Sequence, residues 1–253
     1  MKVLLHGCNG KMGRVMTRVL SETPDMEIVA GVDLEPEKAR NTYPVYVRLL
    51  DVKEDANVLI DFSHHSCIAG LLEFGTSRNV PLVICTTGFS AEEKQAMASA
   101  AGTVPILNSA NMSLGVNLLL SLVSQAAALL HDGFDIEVVE RHHNQKVDSP
   151  SGTALMIADA MNSALDNTME YVYGRHSKNQ RRQKPEIGIH AVRGGAIVGQ
   201  HDVIFAGQGE VIEISHSALS RDVFAYGAVR ATRFLVGRPP GLYSMKDVIE
   251  SAG

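Results

Sequence analysis

His6-Gly7-Cys8-Asn9-Gly10-Lys11-Met12-Gly13 follows the apolar run Lys2–His6 and opens a helical pattern through Arg14–Ser21. Glycines spaced GxxGxxG between a strand and a helix have separate physical uses. Gly7 permits a tight turn, Gly10 lets backbone approach a pyrophosphate, and Gly13 allows the helix to pack closely. The helix start then offers N–H groups and a partial positive charge to phosphate. The spacing varies the commoner GxGxxG, so the loop taken alone also suits an ordinary glycine turn. Asp33 tips the balance toward a dinucleotide. It lies twenty residues beyond Gly13, at the end of a second strand Glu27–Val32, where a carboxylate accepts ribose hydroxyls. The same carboxylate repels a 2′-phosphate, and the next residue is Leu34 rather than a base. NADH is therefore favoured, with Lys11 and Arg14 near enough to admit NADPH.

Further along, Val58–Phe62 and Val80–Cys85 read as strands, with helical stretches at Ile68–Arg78 and Ala91–Ala101. Strands alternating with helices argue for βαβ units and a parallel sheet. Met112–Leu130 is an uncharged span close to membrane length, but its Ser, Asn and Gln residues and unflanked ends suit a helix buried between layers. The rhythm then changes. Phe134–Glu140, Ile187–Arg193, His201–Phe205 and Val211–His216 are strand-like, Thr153–Leu165 is helical, and a separate open mixed or antiparallel sheet is expected. The tail from Ala218 to Ile249 is expected to return to helix and pack on the first domain. The fold class expected from this order is α/β, a parallel-sheet domain joined to a second domain with its own open sheet.

The 253 residues are 45% hydrophobic and 20% charged, which leaves little room for a wholly disordered chain. Lys+Arg 23 against Asp+Glu 28 gives a net charge of −5, so no global positive field exists to hold nucleic acid or an anionic membrane. The basic run Arg175, Lys178, Arg181, Arg182, Lys184 has no interleaved aromatic and reads as a solvated loop. Cys8, Cys67 and Cys85 have neither disulfide-framework nor zinc-knuckle spacing. The opening MKVLLHG has too short an apolar run for a signal peptide, and a cytoplasmic protein is expected.

Glu140-Arg141-His142-His143-Asn144-Gln145-Lys146-Val147-Asp148-Ser149-Pro150-Ser151-Gly152-Thr153-Ala154 leaves a strand, crosses a polar loop and enters a helix. His142 can move a proton near neutral pH, and Lys146 supplies a cation or a second proton. The Gly152 and Thr153 amides at a helix start suit a carboxylate. Other readings compete. Neighbouring histidines point to opposite faces of a strand, and no third ligand has a familiar spacing, so a metal is not expected. Ser151 could simply cap the helix. Beside a hydride cofactor, a site that recognises and protonates a small acid is favoured.

At these residues the chain resembles the dihydrodipicolinate reductase family, whose E-x-H-H-x-x-K-x-D-x-P-S-G-T-A signature is matched from Glu140 to Ala154. GCNGKMGR (7–14), VLIDFS (58–63), CTTGF (85–89), SANMSLGVN (109–117) and IHAVRGGAIVGQH (189–201) extend the resemblance over essentially the whole chain. It implies a Rossmann-type parallel-sheet domain (residues 1–112 with 221–253), a central α+β substrate-binding domain (113–220) and a homotetramer formed through that central domain. It also implies NAD(P)H-dependent reduction of a cyclic imine bearing two carboxylates, in lysine and diaminopimelate biosynthesis. Carried over by residue, the resemblance makes His142 the general acid, Lys146 the second proton donor and His143 a substrate contact. Gly152 and Thr153 would bind a substrate carboxylate. Gly7, Cys8, Asn9, Gly10, Lys11, Met12 and Asp33 would hold the adenosine half and pyrophosphate. Cys85, Thr86, Thr87, Ser109, Ala110, Asn111 and Met112 would border the nicotinamide. Cys85 and Met112 depart from the family's usual Gly and Phe. The competing readings are another Rossmann-type dehydrogenase of a small carboxylated imine or ketone, and a non-catalytic NADH-binding sensor.

Overall fold

The computed structural model describes residues 1–251. The chain forms two compact units. One comprises Met1–Leu114 with the segment that starts at Arg221, and the other is Gly115–Ser220.

In the first unit β1 (Lys2–His6), α1 (Lys11–Ser21), β2 (Glu27–Val32), β3 (Val45–Tyr46), β4 (Val58–Asp61), α2 (Ile68–Arg78), β5 (Leu82–Ile84), α3 (Ala91–Ala100) and β6 (Pro105–Asn108) follow in order. In the second come α4 (Leu114–Leu130), β7 (Asp135–His142), α5 (Gly152–Ala164), β8 (Glu170–Tyr173), β9 (Glu186–Arg193), β10 (Gly199–Ala206) and β11 (Val211–Ala218). The chain then returns to the first unit with α6 (Asp222–Leu235), β12 (Gly241–Tyr243) and α7 (Met245–Glu250).

The first sheet runs β12-β6-β5-β4-β1-β2-β3, and every pair in it is parallel. Its strands are apolar on both faces, as a sheet covered on both sides requires. Val3, Leu5, Ile60, Val83 and Leu107 face a cluster that includes α1, α6 and α7 residues such as Met16, Ala228 and Val248. Leu4, Leu59, Leu82 and Ile106 face a second cluster with Leu71 and Phe74 of α2 and Met97 of α3.

Four strands lie outside the sequence reading: β3, β6, β8 and β12 have only two to four residues each, too short to carry a periodicity. The tail is also corrected. It does not run as unbroken helix, because Gly237 has φ +87° and Pro239-Pro240 follow, ending α6 before β12 joins the sheet edge beside β6.

The second sheet, β11-β10-β7-β9-β8, is mixed. Its β10 pairs antiparallel with both β11 and β7, while β7–β9 and β9–β8 are parallel. One face packs on α4 and α5 through Ile136, Val138, Ile189, Val203 and Phe205. The other carries a polar set, with Glu137 bonded to Arg175, Arg182 and His190. Helix α4 corrects a second expectation, because it is covered on one face only. Val116, Leu119, Val123 and Ala127, spaced three and four apart, are buried, whereas Leu118, Leu122 and Leu129 remain exposed.

Candidate active site

The glycine loop leaves β1 with Gly7 at φ +75°, where a Cβ would sit 2.6 Å from the Phe62 carbonyl oxygen. At Gly13 a Cβ would lie 2.1 Å from the Gly7 carbonyl oxygen, so only glycine lets α1 pack against the loop. Gly10 is the N-cap of α1, no side chain caps that end, and no acidic residue occupies the first turn. The helix start therefore keeps its positive end for an external anion.

Two loop residues have work inside the protein. Cys8 is wholly buried, and Gly31 must lack a side chain because a Cβ there would meet the Cys8 Sγ at 2.7 Å. Burial, with Asp33 nearby, pushes the Cys8 thiol up to about 11. Asn9 is also buried and ties the loop to the end of β2. Its Nδ2 donates to the Glu35 carbonyl at 2.7 Å and its Oδ1 accepts from Asn41. Asp33 completes the tie, accepting the Asn9 amide on Oδ2 at 2.9 Å and the Glu35 amide on Oδ1 at 3.1 Å. Lys11 is exposed and Met12 is half-buried.

Gly7 and Asp33 line a cavity of about 620 Å³ whose rim exposes Leu34, Val47 and Leu50. Apolar side chains at the mouth of a cleft with a carboxylate inside suit a flat base joined to a ribose. A cavity of about 280 Å³ takes in Cys85, Thr86 and Thr87, and the two share Ser63 and His64. Burial, reinforced by Asp61, pushes the Cys85 thiol well above its ordinary range, which argues against a reactive thiolate. Ser109, Ala110, Asn111 and Met112 line neither cavity. Met112 is 3% exposed and packs in the core against α6, where a Cβ on Gly227 would lie 1.8 Å from its carbonyl oxygen. Its side chain is thus removed from any cofactor contact, and only its backbone is left for one.

In the second unit, the alternation of β7 puts Glu140 and His142 on the covered face, two residues apart. Glu140 is wholly buried and its carboxylate accepts four hydrogen bonds. Oε2 takes His142 Nδ1 and Arg193 Nη1, each at 2.7 Å. Oε1 takes Arg193 Nη2 at 2.7 Å and the Ser151 amide at 2.9 Å. Burial opposes the charge, but the Arg193, His142 and Ser151 bonds outweigh it and hold Glu140 below the usual carboxylate range. A carboxylate on Nδ1 directs Nε2 of His142 away from Glu140. Gly199 leaves room for that nitrogen, since a Cβ there would sit 3.0 Å from it.

The Lys146 loop is ordered through the same arginine. Arg193 Nη2 also donates to the Asp148 carbonyl at 2.6 Å, and Lys146 Nζ pairs with the Asp148 carboxylate at 2.8 Å. The Lys146 bond and the Gly152 amide hold Asp148 below its ordinary range, so an internal carboxylate already uses two of the groups assigned to substrate. Ser151 caps α5, its Oγ accepting the Ala154 amide at 3.2 Å. That oxygen also lies 3.2 Å from Nε2 of His201, which packs edge-on to His142 with ring centroids 5.2 Å apart. Burial and then His142 push His201 down to about 4, so it stays neutral near neutral pH. His143 and Thr153 are half-buried and Gly152 is exposed.

The fold thus joins His142, the Lys146 loop and the start of α5 through Glu140 and Arg193. Neither Arg193 nor His201 was expected. Glu140 stood in the motif without a role, although period two on a strand already puts it on the His142 face. Arg193 reaches His142 only by the β7–β9 register, which no local pattern reveals.

Comparison with known proteins bears on both units. Profiles described as dihydrodipicolinate reductase, N-terminus and C-terminus, match residues 1–112 and 115–249. A 4-hydroxy-tetrahydrodipicolinate reductase of Caldanaerobacter subterraneus subsp. tengcongensis is 56% identical over 253 residues, covering 98% of each chain. One of Clostridium tetani is 48% identical over 250 residues, covering 99% of this chain and 97% of the relative. Among solved structures, a dipicolinate-bound dihydrodipicolinate reductase from Paenisporosarcina sp. TG-14 superposes with a TM-score of 0.81 at 25% identity, covering 96% of this chain and 97% of that one. These relatives do not favour a sensor or a different dehydrogenase.

Proposed function

The chain belongs to the dihydrodipicolinate reductase family, and from that membership we propose that it reduces 4-hydroxy-tetrahydrodipicolinate to tetrahydrodipicolinate with NADH or NADPH, a step of lysine and diaminopimelate biosynthesis. The observation that carries the reading is Glu140. One buried carboxylate holds both the proton-bearing ring of His142 and the first amide of the α5 entrance. A proton donor and an anion seat fixed to each other are what a small acid undergoing reduction needs.

In this reading the first unit binds the dinucleotide. The uncapped start of α1 and its glycines face the phosphates, and Asp33 accepts ribose hydroxyls on the lone pairs its two backbone bonds leave open. Bound there, the nicotinamide supplies hydride. Asp33 followed by Leu34 supports NADH over NADPH, while Arg48 at the cavity wall, held by Asp51 at 2.8 Å, is the cation that would have to turn toward a 2′-phosphate.

The second unit binds the cyclic imine. The Gly152 and Thr153 amides and His143 hold its carboxylates, and both Lys146 and the Gly152 amide must exchange Asp148 for substrate. Once the 4-hydroxyl has left as water, hydride added at C4 would push electron density along the conjugated ring to its nitrogen, which His142 protonates, with Glu140 stabilising the imidazolium that gives up the proton. Family membership supports a homotetramer in the cytoplasm. The face of the second sheet opposite α4 and α5 is the surface that suits such an assembly.

A coupled assay tests the reading. Pyruvate and aspartate semialdehyde are condensed by the preceding synthase, and nicotinamide absorbance is followed with each cofactor. Product-dependent oxidation is expected, lowered about 10²- to 10⁴-fold in kcat by His142→Ala or Lys146→Ala with NADH affinity unchanged. Bound cofactor without oxidation would overturn it.

A further inference from the structure

His6 ends β1, whose Val3, Leu4 and Leu5 are all wholly buried. An imidazole is out of place there, yet His6 is only 8% exposed. The β1–β4 register sets it directly beside Asp61, itself 1% exposed, and Nδ1 lies 2.8 Å from Oδ1. Asp61 also accepts the Ser63 amide and hydroxyl on Oδ1, at 3.2 and 2.6 Å, and the Thr86 hydroxyl on Oδ2 at 2.6 Å. A buried pair of this kind seldom adds stability over apolar residues of the same size, because desolvation offsets the attraction. The position asks for a reason other than stability.

The geometry supplies one. With Nδ1 given to Asp61, the ring presents Nε2, and no other hydrogen bond to the ring exists among the described residues. His6 lines the 620 Å³ cavity next to Gly7, the first glycine of the loop. Asp33, Glu35, Arg48 and Glu73 line the same cavity, and Arg48 is engaged by Asp51. His6 is therefore a buried, oriented polar group whose free nitrogen faces the cleft. Asp61, which aims it, also fixes Thr86 at the wall of the neighbouring cavity.

We propose that His6, held by Asp61, is a dinucleotide-binding residue whose Nε2 accepts a hydroxyl of the cofactor's adenosine-side ribose. The inference rests on the reading of the first unit as the nicotinamide-dinucleotide unit. It adds a contact that the glycine loop and Asp33 do not provide.

The test compares His6→Leu and His6→Gln with wild type in NADH fluorescence titration, steady-state kinetics and urea unfolding. His6→Leu is expected to weaken NADH and ADP-ribose alike by about tenfold, the worth of one hydrogen bond in a desolvated site. Binding of nicotinamide mononucleotide should be unchanged, and KM for NADH should rise by a larger factor than kcat falls. His6→Leu leaves the buried Asp61 carboxylate short of one donor and should lose stability, whereas His6→Gln, whose amide still donates to Asp61, should keep it and recover part of the affinity. Affinity lost in His6→Leu and partly regained in His6→Gln, for ligands that carry the adenosine half alone, marks a binding residue. NADH affinity unchanged in His6→Leu would overturn the inference, as would affinity and stability falling together in both variants. Should His6→Leu not fold, unchanged NADH affinity in His6→Gln and in an Asp61→Asn variant would overturn it equally. A wild-type protein that binds neither NADH nor NADPH would instead overturn the reading of the unit itself.

Discussion

Acidification from pH 7.5 to 5.0 should destabilise the second unit through His201. The imidazole is 4% exposed, faces Glu140 of β7, His142, Asp202 and His216 of β11, and is held down at about 4 against an ordinary 6.5. In that interval the unfolded chain takes up nearly a whole proton that the folded chain refuses. Stability is therefore complete above 6.5 and is lost as pH falls toward 4. Integrating over the two pH values gives a loss of about 2 kcal/mol, rising to about 3 kcal/mol below the folded value. Glu140, held below the usual range, titrates outside this interval, whereas His216, pushed down by burial, adds to the loss with the same sign. The quantity to measure is thus the difference between wild type and His201→Gln, from urea unfolding at both pH values. The wild type should lose about 2 kcal/mol more than the variant. Equal losses in the two proteins would refute the claim that His201 is buried neutral.

Three further outcomes are expected. Glu140→Gln keeps the shape but opposes an amide to donors and leaves the Arg193 charge uncompensated. Calorimetry should find a loss of about 3 kcal/mol, with kcat down at least a hundredfold and NADH affinity intact. Gly13→Ala drives a methyl to 2.1 Å from the Gly7 carbonyl and must shift the loop, so NADH fluorescence titration should show affinity falling more than about tenfold. Leu34→Arg, at a rim position 82% exposed, adds a base beside Asp33. The ratio of kcat/KM for NADPH over NADH should rise about tenfold in the coupled assay.

What could be read from sequence followed the reach of each interaction. The glycine loop and Asp33 are spelled out by spacing because turn, helix start and strand end are local. The major strands and helices carry their own periodicity. The short edge strand Gly241–Tyr243 does not, since pairing with Pro105–Leu107 stabilises it and not its own three residues. The same limit applies to the candidate sites. His142 and Lys146 stand in one motif, but Arg193, His201 and the His6–Asp61 pair meet through strand register across long separations. Met112 shows the reverse case: a position inside a recognisable motif whose side chain the core has claimed.

The first unit is built from both ends of the chain. Arg233 pairs with Asp25 at 2.7 Å, Arg18 with Asp222 at 2.6 Å, and β12 completes the sheet beside β6. During synthesis, α1 and the strands beneath it emerge with the apolar face that α6 and α7 will cover still bare. About a hundred residues of the other unit intervene, roughly 5–20 s of elongation, before the covering segment leaves the ribosome. The inserted unit, contiguous in sequence, is free to fold during that wait. A chain truncated after Ser220 should therefore carry a second unit that resists protease while its first unit does not.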